Sequence, residues 1–285
     1  MRRLIVNADD FGLTAGVNRA IIEGNQSGIV TSATVMANAK ATDTAIDLAK
    51  AQPSLMTGCH VVLIDGVPLT ANLLSLTDGS SRFRSSLNQF AFAAIRGQIA
   101  AEEIQREAEA QIRKLQSCGL TITHVDSHKH THMFPRVARP MLRAAKACGI
   151  RAVRNPFEPL KSWPMAMVLG SPGLWLRSAG VMGFQIFAAE FRRALKEEGI
   201  VSTDGTVGIA VTGMLDQKRL LWILEALPEG TWELVCHPGY SDSDLQAAGT
   251  RLTRSRQIEL SALTSAEVKS TLVGRNIELI SYADL

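Results

Sequence analysis

The sequence predicts an α/β fold: a single (β/α) barrel over residues 1–285, irregular or seven-stranded, with loop insertions on its active face. Three observations lead there. Short β-branched or apolar runs alternate with longer segments of helical period along the whole chain. Polar motifs follow many of these runs rather than one or two, as they do where every strand of a barrel opens onto the same face. No Gly-x-Gly-x-x-Gly follows the first strand and no P-loop is present, so the nucleotide-binding doubly wound folds lose their main signature.

The first strand, 4–7, leads through a polar stop to Thr14, a good N-cap, and a helix at 15–24. A strand at 32–36 and a helix at 42–51 follow, then a strand at 57–63, a helix at 101–117 and a strand at 121–126. The alternation continues with a helix at 136–148, strands at 151–154 and 207–212, a helix at 216–226, a strand at 232–236, and a closing helix and strand at 265–273 and 278–280. Strands separated by crossover helices run parallel. Two interruptions read as loops over the active face: about 65–88, rich in Ser, Leu and turn formers, and about 155–180, rich in Pro, Gly, Met and Trp.

With 46% hydrophobic and 20% charged residues, the chain has the balance of a globular domain with a sizeable core. Its net charge of +3 is small and its basic residues are dispersed, which argues against nucleic acid as a partner. Cys59, Cys118, Cys148 and Cys236 form no C-x-x-C pair, so neither a disulfide framework nor a thiolate zinc site is expected, and a reducing cytoplasm fits. The apolar run 4–6 is too short for a signal peptide. The uncharged stretch 162–176 holds two prolines and two glycines and is too short to span a bilayer.

All six histidines fall at or near expected strand ends: His60, the group His124, His128, His130 and His132, and His237. A lone histidine there is more often structural, but a barrel brings distant strand ends together. The first strand runs into Asn7-Ala8-Asp9-Asp10-Phe11-Gly12. Adjacent carboxylates repel, and the N-cap lies beyond them at Thr14. A divalent cation would offset the repulsion and leave one acid able to move protons. Period-two alternation places His124, Asp126 and His128 on one face, while His128 and His132 carry an H-x-x-x-H spacing that could serve a common centre if the chain turns helical there. Spacing does not choose among these histidines. The same alternation turns Cys59 and Cys236 away from the side of His60 and His237, as buried hydrophobes. A mixed His/Asp set favours zinc and also suits manganese, cobalt or nickel, with magnesium less favoured.

NADDFG, TSATVMAN, GCHVVL, THVDSHKHTHMFP and CHPGY, in that order, resemble the motifs of the YdjC-like carbohydrate deacetylases over nearly the whole chain, and within them most resemble the hopanoid-biosynthesis branch, HpnK. The resemblance implies Asp10, His60 and His128 as metal ligands, Asp9 as general base, and His237 as general acid or as a donor to the acetyl group. Arg154, in RNPFEP, resembles the arginine that orients the acid or base in the wider polysaccharide deacetylase superfamily; its plainer reading is a surface ion pair. Asp126, His130 and His132 are left as substrate-contacting or supporting groups. A homodimer is implied, as is an amino-sugar substrate, free or lipid-linked.

The chemistry suits these residues: a cation stabilises charge on the amide oxygen and acidifies water, Asp9 takes the water proton, and an imidazolium at His237 protonates the departing amine. The apolar insertion around Trp163 and Trp175, continuing through 181–187, reads most simply as core packing. Its alternative is a wall for a greasy aglycone, with peripheral contact at the inner membrane. Two other readings compete: another metal-dependent barrel enzyme, an isomerase or phosphoesterase, and a non-catalytic metal- or carbohydrate-binding barrel. The paired acids weigh against the last, since a binding module needs no spare base.

Overall fold

The computed structural model describes residues 1–159 and 172–285. Its strands are β1 (Arg2–Phe11), β2 (Ser32–Val35), β3 (Met56–Val61), β4 (Ile122–Ser127), β5 (Ala152–Val153), β6 (Gly205–Val207), β7 (Gly230–Cys236) and β8 (Ile277–Ile280). Seven hydrogen-bond in the order β5-β4-β3-β2-β1-β7-β6, all parallel. β8 stands outside this path. It pairs with Arg2–Ile5 of β1, while β2 pairs with Asn7–Phe11, so the long first strand carries two short neighbours end to end. The ends of the path meet through the 200–206 segment: Val201 N donates to Arg151 O (2.8 Å), Val153 N to Val201 O (3.1 Å) and Thr206 N to Phe157 O (3.2 Å). The result is an irregular barrel-like sheet.

Alternation along β1 sorts its side chains. Leu4, Val6 and Ala8 join the large apolar core. Ile5 points the other way, into a small cluster with Ala152, Ile280 and Tyr282, and Asn7 and Asp9 follow it on that inner side. The interior is therefore apolar at its base and polar at the C-terminal end of the strands.

The helices are α1 (Ala15–Gln26), α2 (Thr42–Ala51), α3 (Leu87–Arg96), α4 (Ala101–Ser117), α5 (Pro135–Ala147), α6 (Pro172–Gly183), α7 (Ala188–Glu198), α8 (Gln217–Ala226), α9 (Ser243–Ala247), α10 (Arg254–Leu263) and α11 (Ala266–Gly274). Thr14 caps α1 as expected, its hydroxyl accepting from Val17 N at 3.2 Å. Helices α3, α6, α7, α9 and α10 were not expected, and α6 begins within the stretch 155–180 that the sequence reads as a loop. The expected strand at 207–212 is displaced to Gly205–Val207, because the Glu158 carboxylate accepts from Gly208 N (2.7 Å) and Ala210 N (2.9 Å) and takes amides a sheet would need. Gly208, at φ 100°, turns the chain out of the strand.

The first insertion is pinned rather than free. Glu107 of α4, fully buried, accepts from Leu69 N and Thr70 N at 2.9 Å each, and Glu103 accepts from Ser75 N at 2.9 Å. Residues 160–171 of the second insertion, Trp163 among them, and the Trp175 side chain lie outside the described residues. Among the described residues, no helix is long and apolar enough to cross a membrane.

Candidate active site

β1, β3 and β4 deliver the motif residues to one place. Asp9 and His60 follow the inward side of their strands, and Asp10, the next residue, would face the helices if the strand continued regularly. Its φ of 66° instead turns it back toward the same centre. A left-handed non-glycine residue costs about 1–3 kcal/mol and persists where its surroundings over-determine it. Here the surroundings are the Arg256 guanidinium, which donates to Asp10 Oδ2 at 2.5 Å, and the amide of Leu13, which donates to Asp10 O at 3.0 Å.

Asp10 Oδ1 is buried and has no hydrogen-bond partner. It lies 3.5 Å from His60 Nε2 and 3.3 Å from His128 Nδ1, and those two nitrogens are 3.3 Å apart. Three potential donor atoms thus converge on one point. The far side of His60 is already committed: its Nδ1–H donates to Asp126 Oδ1 at 2.7 Å, which leaves Nε2 as the nitrogen turned toward the shared point. An orphaned carboxylate oxygen beside two imidazole nitrogens fits a divalent cation, with His128 the most exposed of the three. Burial opposes charge on His60, but Asp126, Asp9 and Asp10 reverse that and lift its pKa to about 9. The ring therefore holds a proton in the ion-free site, one that a metal would displace.

Arg154 is not a surface residue: its side chain is 0% exposed, which removes the ion-pair reading. It donates to Asp9 Oδ2 (2.8 Å) and Oδ1 (2.6 Å), lies 2.7 Å from Asp126 Oδ2, and donates to Glu233 Oε1 at 2.8 Å. Burial opposes ionisation of Asp9, but the guanidinium outweighs it and holds the carboxyl well below the usual range. Asn7 Nδ2 also donates to Asp9 Oδ1 (3.0 Å), and Thr34 Oγ1 donates to Asp126 Oδ2 (3.1 Å). Asp9 is thereby fixed in one orientation as a carboxylate.

His237 arrives from the end of β7, with Nε2 3.8 Å from Asp9 Oδ2 and its backbone amide held by Glu259 Oε2 at 2.6 Å. Burial depresses its pKa to about 4, and its Nδ1 has no partner. The ring is neutral near pH 7, not the standing imidazolium expected from the sequence. To act as an acid it must first gain a proton.

The helical turn on which the H-x-x-x-H reading depends does not form. After β4 the chain forms a short 3₁₀ segment, His128–Met133, in which Lys129 (φ 55°) and His130 (φ 52°) are left-handed. That reversal sends His132 away from His128. Its Nδ1 accepts from Ser127 Oγ (2.6 Å) and its Nε2–H donates to Arg154 O (3.2 Å), so it braces the arginine. His124 lies in the barrel interior: its Nε2–H donates to Asn7 Oδ1 at 3.1 Å, and its ring stacks on Tyr282 at 3.8 Å. Gly58 makes room for it, since a Cβ there would sit 2.5 Å from the imidazole. His130 is half-buried with an unpartnered Nδ1, and burial lowers its pKa to about 3.

These histidines make the ion-free protein acid-sensitive. Burial holds His124 and His132 well below 6.5, with His130 and His237 also depressed. Below pH 6.5 the unfolded chain takes up protons that the folded chain refuses, and stability falls as pH drops. Glu259, raised to about 7 by burial, works in the opposite sense, as does Glu233. His60 adds no slope below 6.5, being protonated in both states. The histidines outnumber the glutamates, so urea midpoints of chelator-treated protein should fall between pH 6.5 and 5, by at least about 1.4 kcal/mol per unit for one net proton. A flat or rising profile would contradict the buried neutral assignment.

Several partners escaped the sequence reading. Asn7 and Thr34 sit inside recognised motifs without an assigned role. Glu233 carries a usable signal, a lone acid in the apolar strand 232–236. Arg256 and Glu259 lie on the unexpected α10 and carry none.

A family model described as YdjC-like protein matches residues 3–273. A carbohydrate deacetylase of Brevibacillus brevis is 32% identical over 284 residues, covering 99% of each chain, and one of Geobacillus stearothermophilus is 33% identical, covering 99% of this chain and 98% of that one. Among solved structures, an Enterococcus faecalis protein named for cellobiose-phosphate cleavage superposes with a TM-score of 0.79 at 24% identity, covering 99% of this chain and 98% of its own, which extends the fold likeness.

Proposed function

The chain belongs to the YdjC-like family, and from that membership and the geometry of the site we propose that it is a metal-dependent carbohydrate deacetylase removing the N-acetyl group from an N-acetylglucosamine-type sugar. The observation that carries the metal reading is the orphaned Asp10 Oδ1 meeting His60 Nε2 and His128 Nδ1 beside a second carboxylate, Asp9.

Asp10, His60 and His128 would hold the cation, and the His/Asp donor set favours zinc. When bound, the ion acts as a Lewis acid toward the acetyl oxygen and makes water easier to deprotonate. Asp9, kept ionised and fixed by Arg154, accepts the water proton. His237, close to Asp9 and neutral at rest, relays that proton to the departing amine nitrogen, which turns a poor leaving group into a neutral amine. His132 and Asp126 keep Arg154 and His60 in place, while His130, with its free Nδ1, faces substrate.

The apolar composition of the second insertion favours a lipid-linked amino sugar, taken from the inner-membrane surface by a cytoplasmic homodimer of the hopanoid branch.

Acetate release from N-acetylglucosamine conjugates, free and lipid-linked, tests the reaction, and elemental analysis tests the site. Wild-type protein should carry about one divalent ion per chain, and His60→Ala and His128→Ala should lose most of it along with turnover. Full metal content in both variants, or no acetate from any amino sugar, would remove the proposal.

A further inference from the structure

Tyr282 lies inside the barrel, below the reacting groups. Strand β8 ends with Ile280 beside Ile5 of β1, which brings the residue two places on to the level of Asn7. A short 3₁₀ turn, Tyr282–Asp284, seats it there: Ser281 Oγ accepts from Ala283 N at 3.2 Å, and Asp284 Oδ2 accepts from Ser281 N at 2.7 Å. The ring belongs to the small apolar cluster of Ile5, Ala152 and Ile280, and a phenol buried in such company needs a partner for its hydroxyl.

That partner leads to the active site. Tyr282 Oη donates to Glu233 Oε2 at 2.5 Å, and Glu233 Oε1 accepts from Arg154 Nε at 2.8 Å. Arg154 in turn grips Asp9 with both Nη1 and Nη2. A second arm leaves the same phenol ring: it stacks on His124 at 3.8 Å, His124 Nε2–H donates to Asn7 Oδ1 at 3.1 Å, and Asn7 Nδ2 donates to Asp9 Oδ1 at 3.0 Å. The two arms close on one carboxylate, and every residue in them is at most 3% exposed.

We propose that Tyr282 is a positioning residue for Asp9, acting through Glu233; this rests on the deacetylase reading, with Asp9 as the base. Competition for Arg154 is the reason. Arg154 Nη2 lies 2.6 Å from Asp9 Oδ1 and 2.7 Å from Glu233 Oε1, so one nitrogen serves both acids. With Oε2 tied to Tyr282, the glutamate meets the guanidinium through Oε1 and leaves Nη1 to Asp9 and Asp126. Thr206 cannot replace the phenol: its Oγ1 is 3.4 Å from Oε2 and gives its proton to Asn155 O at 2.6 Å. Once Oε2 is released, the carboxylate is free to turn both oxygens toward Arg154 and draw it from Asp9. Tyr282 touches no reacting atom, so its influence reaches the reaction only as the aim of Asp9.

Tyr282→Phe keeps the stack on His124 and removes the hydroxyl alone. Metal-loaded wild type, Tyr282→Phe, Glu233→Gln and the double variant would be compared for acetate release from an N-acetylglucosamine conjugate, with metal content measured on each. Tyr282→Phe is expected to lower kcat about tenfold, the scale of one lost hydrogen bond to a charged group, with KM and metal content unchanged. Because the effect runs through Glu233, the double variant should match Glu233→Gln rather than fall further. A wild-type kcat in Tyr282→Phe, or losses that multiply in the double variant, would overturn the assignment. If wild type releases no acetate, the parent reading fails instead, and the Arg154 Nε–H magnetic resonance signal, identified by its absence from Arg154→Lys, decides the positioning role alone. A shift of that signal in Tyr282→Phe supports the role, and an unmoved signal overturns it.

Discussion

Asp9→Asn is expected to lower kcat by about 10²–10⁴-fold while metal content stays at the wild-type level. The substitution keeps the side chain's shape and one of the two oxygens that accept from Arg154, but removes the charge and basicity that the proposed proton transfer uses. Its neighbour Asp10 is untouched, with Oδ1 still facing His60 and His128. The folded state should survive, because Arg154 retains Asp126 at 2.7 Å and Glu233 at 2.8 Å. Turnover near wild type would end the assignment of Asp9 as base. Loss of metal together with activity would mean that Asp9 belongs to the ion's own ligands. Elemental analysis beside acetate release separates these outcomes.

Arg154→Met should cost about 3–5 kcal/mol of folding free energy, and most of the activity as well. The guanidinium is fully buried among Asp9, Asp126 and Glu233, and desolvation alone would otherwise push Asp9 and Glu233 toward protonation. Methionine fills much of the volume but leaves three carboxylates without a counter-charge. Arg154→Lys is expected to recover part of the stability and little activity, since one ammonium cannot match the two-pronged contact with Asp9. Denaturant midpoints for the three proteins, read with kcat, check this. A methionine variant as stable as wild type would show that the cluster lives with its charges neutralised by protonation.

The gain from α3, α7 and α10 to the sequence reading would have been small in fold terms but large for the site. α10 alone supplies Arg256, which closes one side of Asp10, and Glu259, which holds the His237 amide. Its buried face includes Arg256 and Glu259 among apolar residues, so the periodicity that reveals other helices is blurred by the polar groups that matter. The displaced strand β6 has a similar cause: the run 207–212 is apolar enough for a strand, and a distant carboxylate, Glu158, decides otherwise. The H-x-x-x-H spacing of His128 and His132 needs a helical turn that does not form, because two left-handed residues follow one another there.

Local pattern was sufficient wherever one residue's neighbours in sequence determined its environment. The alternation of strand and helix, the parallel sheet, the cap at Thr14, and the inward histidines and acids after β1, β3 and β4 all follow from periods of two and 3.6. Pairing across the barrel could not be read that way. That Arg154 serves three acids, that Asp10 keeps one oxygen free, and that His237 is neutral depend on burial and on contacts between residues far apart in the chain. Desolvation and Coulomb energies are set by distances in space, which only closure of the barrel fixes.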